Sequence, residues 1–165
     1  NPLWGWFGHA DQFAFAADFR PAPGIRRFLL GSIPVLGLTA AGVGIDLTVE
    51  AGIAAIRAKS AAATEMMLAQ YDARLAPLGV GLGTPRDPAR RGGHLALLHP
   101  EGLALSRWLR AEGGVVADFR PPDVLRFAVS PLYTTYTEAW DAMETLAVAL
   151  ETGAHRGFAP GGRVT

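Results

Sequence analysis

The chain has 165 residues, of which 50% are hydrophobic and 18% charged, so it carries enough apolar side chains to build a packed core. Its formal net charge is zero, and we therefore expect neither nucleic acid nor an anionic membrane as a partner. There is no cysteine, which excludes disulfides and thiolate metal sites and is consistent with a cytoplasmic location.

The first 34 residues show no sustained hydrophobic period and are rich in aromatic residues, glycine and proline. Because so long a loop seldom begins an independent domain, we expect residues 1–34 to lie in an extended form across a partner surface. Within it, Gly5-Trp6-Phe7-Gly8-His9 places an indole between two glycines that allow close backbone approach. The indole packs inside a loop, which is the commoner outcome, or it covers a planar ligand or donates its N–H to a phosphate.

The sequence pattern of residues 35–76 predicts two helices that link the first segment to the rest of the chain. Their apolar side chains recur at three- and four-residue spacings among alanines, and alanine has the highest helix propensity. Glu50-Ala51-Gly52 predicts a break between the two helices. Ser32 stands just before the first helix, where a hydroxyl residue usually caps the helix and can alternatively bind an anion.

Strand and helix signals alternate over residues 77–154, which we predict to be a small α+β domain. Strands are predicted over residues 79–84, 93–98, 115–119 and 125–129, and helices over residues 100–111 and 135–150. Thr135 and Glu138 are spaced as a capping box at the start of the last helix. This order predicts a small sheet covered on one face by helices, followed by a flexible tail over residues 155–165.

Three arginines, Arg86, Arg90 and Arg91, lie close together in one predicted loop. Such a loop can bind an anion, and a non-enzymatic nucleic-acid-binding module is one hypothesis for the chain. The neutral chain and the intervening Asp87 favour a solvated turn in which one arginine pairs with a neighbour. The four histidines have no metal-ligand spacing, so no metal site is expected.

Arg126 lies between Leu125 and Phe127 in the last predicted strand. A guanidinium in an apolar strand needs a partner, because burying an unpaired charge is costly. Arg120 and Asp123 can pair with each other across the preceding turn, which leaves Arg126 without an obvious local carboxylate. We therefore predict that Arg126 binds a substrate carboxylate through two parallel hydrogen bonds.

In their order along the chain, these segments resemble the C-terminal part of kynureninases, which are fold-type-I pyridoxal-phosphate enzymes. Other fold-type-I enzymes, such as aminotransferases and cysteine desulfurases, share the architecture and form a further hypothesis. Each matching piece is short, but the ordered set covers almost the whole chain. The pieces are Gly5-Trp6-Phe7-Gly8-His9, residues 28–36, Glu50-Ala51-Gly52, residues 56–60, Thr84-Pro85-Arg86, Arg91-Gly92, residues 114–120, Leu125-Arg126-Phe127-Ala128 and Pro131-Leu132-Tyr133.

The resemblance implies a homodimeric cytoplasmic hydrolase of tryptophan catabolism and NAD biosynthesis, with pyridoxal phosphate as its cofactor. Such an enzyme converts L-kynurenine or 3-hydroxykynurenine to anthranilate or 3-hydroxyanthranilate plus L-alanine. The resemblance assigns Trp6 and Ser32 to the cofactor, with Trp6 reaching it from the neighbouring subunit. It assigns Arg126 to the substrate carboxylate and His9 to the substrate ring. Ser32 replaces a larger residue of the family, which bears on the ring preference.

The resemblance also places catalysis outside this chain. In the family, the lysine and the aspartate that hold the cofactor lie in an upstream domain. The only lysine here, Lys59, falls within a predicted helix and is expected to be a solvated helix residue. The resemblance assigns residues 1–34 to the large domain and its active site. It implies that the chain is a C-terminal fragment, inactive alone.

Overall fold

The computed structural model describes residues 3–158. Its backbone forms two compact units, Asn1–Glu50 and Ala51–Thr165. The first unit holds irregular backbone, short turns and most of one helix, whereas the second holds the remaining helices and the sheet. The division falls inside residues 35–76, the stretch predicted as linking helices, so the two predicted helices fall in different units.

The first unit has little regular structure before its helix. It contains 3-10 turns over Trp6–Gly8 and Gly24–Phe28, and helix α1 begins at Val35 and ends at Ala51. Helix α1 buries none of its side chains, so it adds nothing to a core. Its exposed large apolar residues are Val35, Leu36, Leu38, Val43, Ile45, Leu47 and Val49.

The second unit opens with helix α2, Ile53–Gln70. The helix continues through a π-helical turn over Tyr71–Leu75 and a 3-10 turn over Ala76–Leu78. The predicted break between two helices is confirmed at Gly52, whose φ of 76° suits glycine because glycine has no side chain to clash. Gly79, with a φ of 84°, ends the helical run in the same way.

The sheet of the second unit has four antiparallel strands. They are β1 over Gly81–Leu82, β2 over His94–Leu98, β3 over Asp118–Arg120 and β4 over Val124–Ala128. Their order across the sheet is β1-β2-β4-β3. All four predicted strands are present, but β1 is shorter than predicted, because it pairs with β2 only at Gly81 and Leu82. Strand β3 begins later than the predicted residue 115.

Helices α3, Gly102–Ala111, and α4, Tyr136–Thr152, pack with α2 on one face of the sheet. Every second side chain of β2 and β4 enters this core, as the pleat of a strand requires. The predicted α+β arrangement, a small sheet covered on one face by helices, is therefore confirmed. The largest fully buried apolar side chains are Met67, Leu75, Leu95, Leu97, Leu105, Leu109, Leu125, Met143 and Leu146.

The C-terminal end of the described chain differs from the flexible tail predicted over residues 155–165. Ala154–Phe158 form a 3-10 turn, and His155 is buried. The ring nitrogens of His155 are hydrogen-bonded to the Ala149 carbonyl oxygen at 2.9 Å and to Glu101 Oε2 at 3.0 Å. These contacts fasten the turn to the core, and residues 159–165 lie outside the described residues.

No single helix within residues 3–158 is long and apolar enough to cross a membrane. A bilayer core of about 30 Å requires about 20 helical residues in one run. Only α1 and the helical run that starts with α2, taken together, reach that length and composition, and Gly52 interrupts them.

The capping box predicted at the start of α4 is present. Thr135 Oγ1 accepts the Glu138 backbone N–H at 3.1 Å, and Glu138 Oε2 accepts the Thr135 backbone N–H at 2.7 Å. Because helix N–H groups at this end have no partner within the helix, we expect Thr135→Ala to lower the free energy of unfolding by about 1 kcal/mol. Thr137→Ala, at an exposed position beside it, should change that free energy by less than about 0.5 kcal/mol. Urea unfolding of both variants checks this, and equal losses would contradict it.

Candidate functional site

Arg126 lies on β4, on the face of the sheet opposite the helices. Leu125 and Phe127 point into the core, and the alternation of the strand turns Arg126 outward. The Arg126 side chain is 36% exposed. Its cross-strand neighbour on β2 is Ala96, which has a small side chain. A small anionic ligand can therefore reach Arg126.

The expectation that Arg126 has no local carboxylate is wrong. Asp118 is its cross-strand neighbour on β3, and Asp118 Oδ2 accepts a hydrogen bond from Arg126 Nε at 2.6 Å and forms an ion-pair contact with Arg126 Nη2. Arg120 Nε donates to the same oxygen at 3.0 Å, so Arg120 pairs with Asp118 rather than with Asp123. The hydrogen bonds from Arg126, and then those from Arg120, lower the pKa of Asp118. Sequence reasoning missed the pair because only strand register brings positions 118 and 126 together.

One edge of the Arg126 guanidinium keeps no protein partner. Asp118 occupies the side-on edge, formed by Nε and Nη2, with a single carboxylate oxygen. Arg126 Nη1 donates to no atom of the part of the chain that the structure describes. The end-on edge, formed by Nη1 and Nη2, therefore remains available to a second carboxylate, which can accept two parallel hydrogen bonds from it.

Gly5 and Gly8 flank the Trp6 turn in the first unit and pack on the backbone of the segment before Ser32. A side-chain carbon on Gly5 would lie 2.0 Å from Leu30 Cα, and one on Gly8 would lie 2.6 Å from a carbonyl oxygen of the same segment. No larger residue fits at either position. The close backbone approach predicted for the two glycines is confirmed, and it joins the Trp6 turn to the segment that leads to Ser32.

The Trp6 side chain presents an aromatic face, since the residue is 49% exposed. Its indole N–H donates to the Gln12 carbonyl oxygen at 2.8 Å, so this donor is already paired within the protein. The geometry thus favours contact with a planar group over donation to a phosphate. The ring borders an open cleft of about 340 Å³, whose other aromatic lining residues are Trp4, His9, Phe15 and Phe19.

His9 is buried, and both of its ring nitrogens are hydrogen-bonded within the same segment. Nδ1 accepts the Asp11 backbone N–H at 2.9 Å, and Nε2 donates to the Asp18 carbonyl oxygen at 3.2 Å. These partners require the neutral tautomer with its hydrogen on Nε2. His9 therefore organises its own loop through both ring nitrogens and also lines the Trp6 cleft, and its predicted proximity to a substrate ring stays a prediction.

Ser32 is exposed, and its hydroxyl makes no hydrogen bond to any of residues 3–158. The Leu38 backbone N–H donates to the Pro34 carbonyl oxygen at 2.9 Å, so the first backbone hydrogen bond of α1 is to Pro34. Ser32 lies too far ahead of that turn to cap it. Helix capping and anion binding were the two roles considered for Ser32. The structure does not show it capping the helix, and its hydroxyl is free for an external partner.

The arginines of the predicted basic loop are largely committed to the protein itself. Arg86 donates to Asp72 in two hydrogen bonds of 2.8 and 2.5 Å, and this interaction lowers the pKa of Asp72. The Arg91 side chain is only 1% exposed and pairs with Glu65 at 2.7 Å. Arg90 alone of the three makes no ion pair within the described part of the chain. The predicted turn is present, but two of its arginines are paired rather than one and Arg91 is buried rather than solvated, and a nucleic-acid site is not favoured.

Glu101 and His155 form an ion pair at the C-terminal turn, 3.0 Å from Oε2 to Nε2. Because Glu101 Oε2 and the Ala149 carbonyl oxygen can only accept, the ring satisfies both when both nitrogens carry hydrogen. The hydrogen bond from His155 is the main cause that lowers the pKa of Glu101. Burial lowers the pKa of the neighbouring His99. No group of His, Asp and Glu side chains within residues 3–158 could hold a metal ion.

This ion pair makes stability depend on pH. A carboxyl whose pKa is lowered by folding stabilises the fold above its unfolded pKa and loses that effect as the pH falls through its folded pKa. We therefore expect Glu101→Gln to be less stable than wild type near neutral pH, with a difference that disappears as the pH falls well below 4.5. Urea unfolding across this pH range measures the difference, with the exposed Glu112→Gln as the control. A difference that persists in strong acid would contradict the expectation.

Comparison with known proteins gives one consistent family. The family model of the kynureninase C-terminal domain matches residues 56–146. The kynureninase of Pseudomonas fluorescens is 41% identical over 151 residues, which cover 92% of this chain and 36% of that protein. The kynureninases of Burkholderia mallei (strain SAVP1) and Burkholderia pseudomallei (strain K96243) are each 40% identical over 156 residues, which cover 94% of this chain and 37% of theirs. The chain spans little more than a third of the length of the curated relatives it matches.

Proposed function

Because the chain belongs to the kynureninase family, we propose that it acts as the C-terminal part of a pyridoxal-phosphate-dependent hydrolase of L-kynurenine or 3-hydroxykynurenine. The products are then anthranilate or 3-hydroxyanthranilate, together with L-alanine. The observation that carries this proposal is the open end-on edge of Arg126, which suits the carboxylate that each of these substrates bears.

In this proposal Arg126 binds and orients the substrate. A charge-assisted hydrogen-bonded contact of this kind contributes about 1.5–3 kcal/mol. The planar fork also fixes the direction of the carboxylate, which a single ammonium does not. Holding the carboxylate fixes one end of the substrate and so limits where the reacting Cβ–Cγ bond can lie. Arg126 therefore serves binding and orientation, and no proton transfer is assigned to it.

The first unit offers two groups that suit the periphery of a pyridoxal phosphate. Trp6 supplies an exposed aromatic face, and Ser32 supplies a hydroxyl that is free within the described residues. When bound, the cofactor supplies an electron sink that permits cleavage of the Cβ–Cγ bond. We assign His9 an indirect role, because its two hydrogen bonds keep the loop beside Trp6 folded. In a homodimer, Trp6 would face the cofactor of the neighbouring subunit.

We assign the amine that anchors the cofactor to a part of the enzyme outside this chain. Lys59, the only lysine, lies on α2. Its charge adds a small lowering of the pKa of Glu138, after the larger effect of hydrogen bonds from Thr135. The chain alone is then inactive.

The proposal is tested by incubating the full-length protein with pyridoxal phosphate and each kynurenine in turn. Release of L-alanine with an equal amount of the fluorescent anthranilate supports it. In parallel reactions, conversion of kynurenine to its keto acid when a 2-oxo acid is added as amino acceptor would instead assign an aminotransferase, and persulfide formation from added L-cysteine would assign a cysteine desulfurase. The 165-residue chain given the same reagents is the matched control and should release neither product. No turnover of either kynurenine by the full-length protein would overturn the proposal.

A further inference from the structure

One oxygen of Asp118 collects hydrogen bonds from two arginines. Oδ2 accepts hydrogen bonds from Arg126 Nε at 2.6 Å and from Arg120 Nε at 3.0 Å, and it also forms an ion-pair contact with Arg126 Nη2. The register of β3 and β4 places Asp118 opposite Arg126, and it places the buried Phe119 opposite the buried Leu125. Because the apolar pair locks the two strands together, Asp118 keeps a defined position relative to Arg126.

We propose that Asp118 is a positioning residue, which holds the Arg126 guanidinium so that its end-on edge stays open to the substrate carboxylate. The inference rests on the proposed function of Arg126 in binding kynurenine. An arginine side chain has several rotatable bonds, and fixing them only when the substrate arrives weakens binding. Asp118 fixes the side-on edge beforehand and does not itself touch the substrate.

Arg120 keeps this cluster attractive to an anion. Two guanidiniums and one carboxylate give a net charge of +1, since two positive charges exceed one negative charge by one. The Arg120 side chain is 62% exposed and reaches Asp118 through Nε. Asp118 can therefore orient Arg126 without cancelling the positive charge that draws a carboxylate to the open face of the sheet.

The negative charge of Asp118 also repels an incoming carboxylate, so two effects of this residue oppose each other. The side chains of Asp118 and Arg126 are 43% and 36% exposed, and water and salt screen the repulsion. Screening does not reduce the benefit of holding the guanidinium in one orientation. We therefore expect orientation to dominate, so that removing the carboxylate weakens substrate binding.

The test compares the full-length wild-type enzyme with Asp118→Asn in the hydrolysis of L-kynurenine. We expect the KM to rise about tenfold while kcat changes less than about twofold, because the interaction acts on binding. The inhibition constant of L-alanine, which carries the α-carboxylate, should rise in parallel. The inhibition constant of 2-aminoacetophenone, which has the aromatic ketone but no carboxylate, should stay the same.

Three further variants separate positioning from a general structural role. Asp118→Asn should leave the KM unchanged in an Arg126→Lys background, because it acts through the guanidinium. Asp123→Asn makes the same chemical change in the same hairpin, at a carboxylate that has no ion pair to Arg126. Asp118→Glu keeps a carboxylate and should restore most of the wild-type KM, which excludes loss of folding as the cause.

The possible outcomes distinguish failure of the inference from failure of the proposed function. An active wild type with an unchanged or lower KM for Asp118→Asn overturns the inference and leaves the proposed function standing. An equally large effect of Asp118→Asn in the Arg126→Lys background, or with Asp123→Asn, also overturns it. A full-length wild type that hydrolyses neither kynurenine overturns the proposed function, and the inference falls with it.

Discussion

Arg126→Lys in the full-length enzyme is expected to raise the KM for L-kynurenine by about 10- to 150-fold, which corresponds to a lost contact of about 1.5–3 kcal/mol. Lysine keeps the charge, but a single ammonium cannot donate two parallel hydrogen bonds in the plane of a carboxylate. It also cannot bind Asp118 at one edge and the substrate at another, as the guanidinium geometry allows. Initial-rate kinetics over a range of kynurenine concentrations measure the effect.

Arg120→Lys is the matched control for this experiment, because it makes the same exchange in the same cluster. Arg120 is the more exposed of the two arginines and contacts Asp118 through Nε. Its charge is retained in the variant, so the KM should stay within about threefold of wild type. A wild-type KM for Arg126→Lys, or a loss confined to kcat, would refute the assignment of Arg126 to the substrate carboxylate.

Arg91→Ala is expected to lower the free energy of unfolding by about 2–4 kcal/mol. In the wild type, Arg91 Nε donates to Thr64 Oγ1 at 3.1 Å, Nη1 to the Arg86 carbonyl oxygen at 2.5 Å and Nη2 to Glu65 Oε2 at 2.7 Å. Alanine removes all three hydrogen bonds and leaves a cavity between the loop and α2. Because Glu65 is largely exposed, water can hydrogen-bond to it in the variant, which limits the loss of unfolding free energy.

Arg90→Ala provides the comparison at the neighbouring position. The Arg90 side chain is exposed and makes no ion pair in the described chain, so its removal should change the free energy of unfolding by less than about 0.5 kcal/mol. Salt should reduce the loss in Arg91→Ala only slightly, because the guanidinium is buried. Urea unfolding at low and high salt tests both statements. Similar losses for the two variants, or a loss abolished by salt, would be inconsistent with a buried structural role.

Periodicity predicted helices α3 and α4 and the strands of the second unit well, because one face of each is apolar. Leu105 and Leu109 occupy one face of α3, and the buried Leu125 and Phe127 alternate with less buried positions on β4. Burial of those faces settles both the secondary structure and the side of the sheet that the helices cover. In the first unit the spacing of apolar residues predicted a helix, but it did not indicate which face of α1 is covered, because α1 buries no residue.

The candidate site was predicted only in part. Arg126 was singled out because a guanidinium in an apolar strand is unusual, and the open edge of that guanidinium supports the prediction. Its pairing with Asp118 was missed. The lengths of β3 and β4 and of the turn between them set the register that brings the two residues together. The role predicted for His9 came from resemblance alone and stays a prediction, and the structure adds that its contacts with Asp11 and Asp18 hold its own loop.

The sequence by itself determined the features that depend on neighbours a few residues apart. These are the helix break at Gly52, the capping box of Thr135 and Glu138, and the outward direction of Arg126. Only the tertiary structure decided which charges meet, and it paired Arg126 with Asp118, Arg91 with Glu65 and His155 with Glu101. The physical reason is that an ion pair depends on distance and burial, which strand register and helix packing set between residues far apart in the chain.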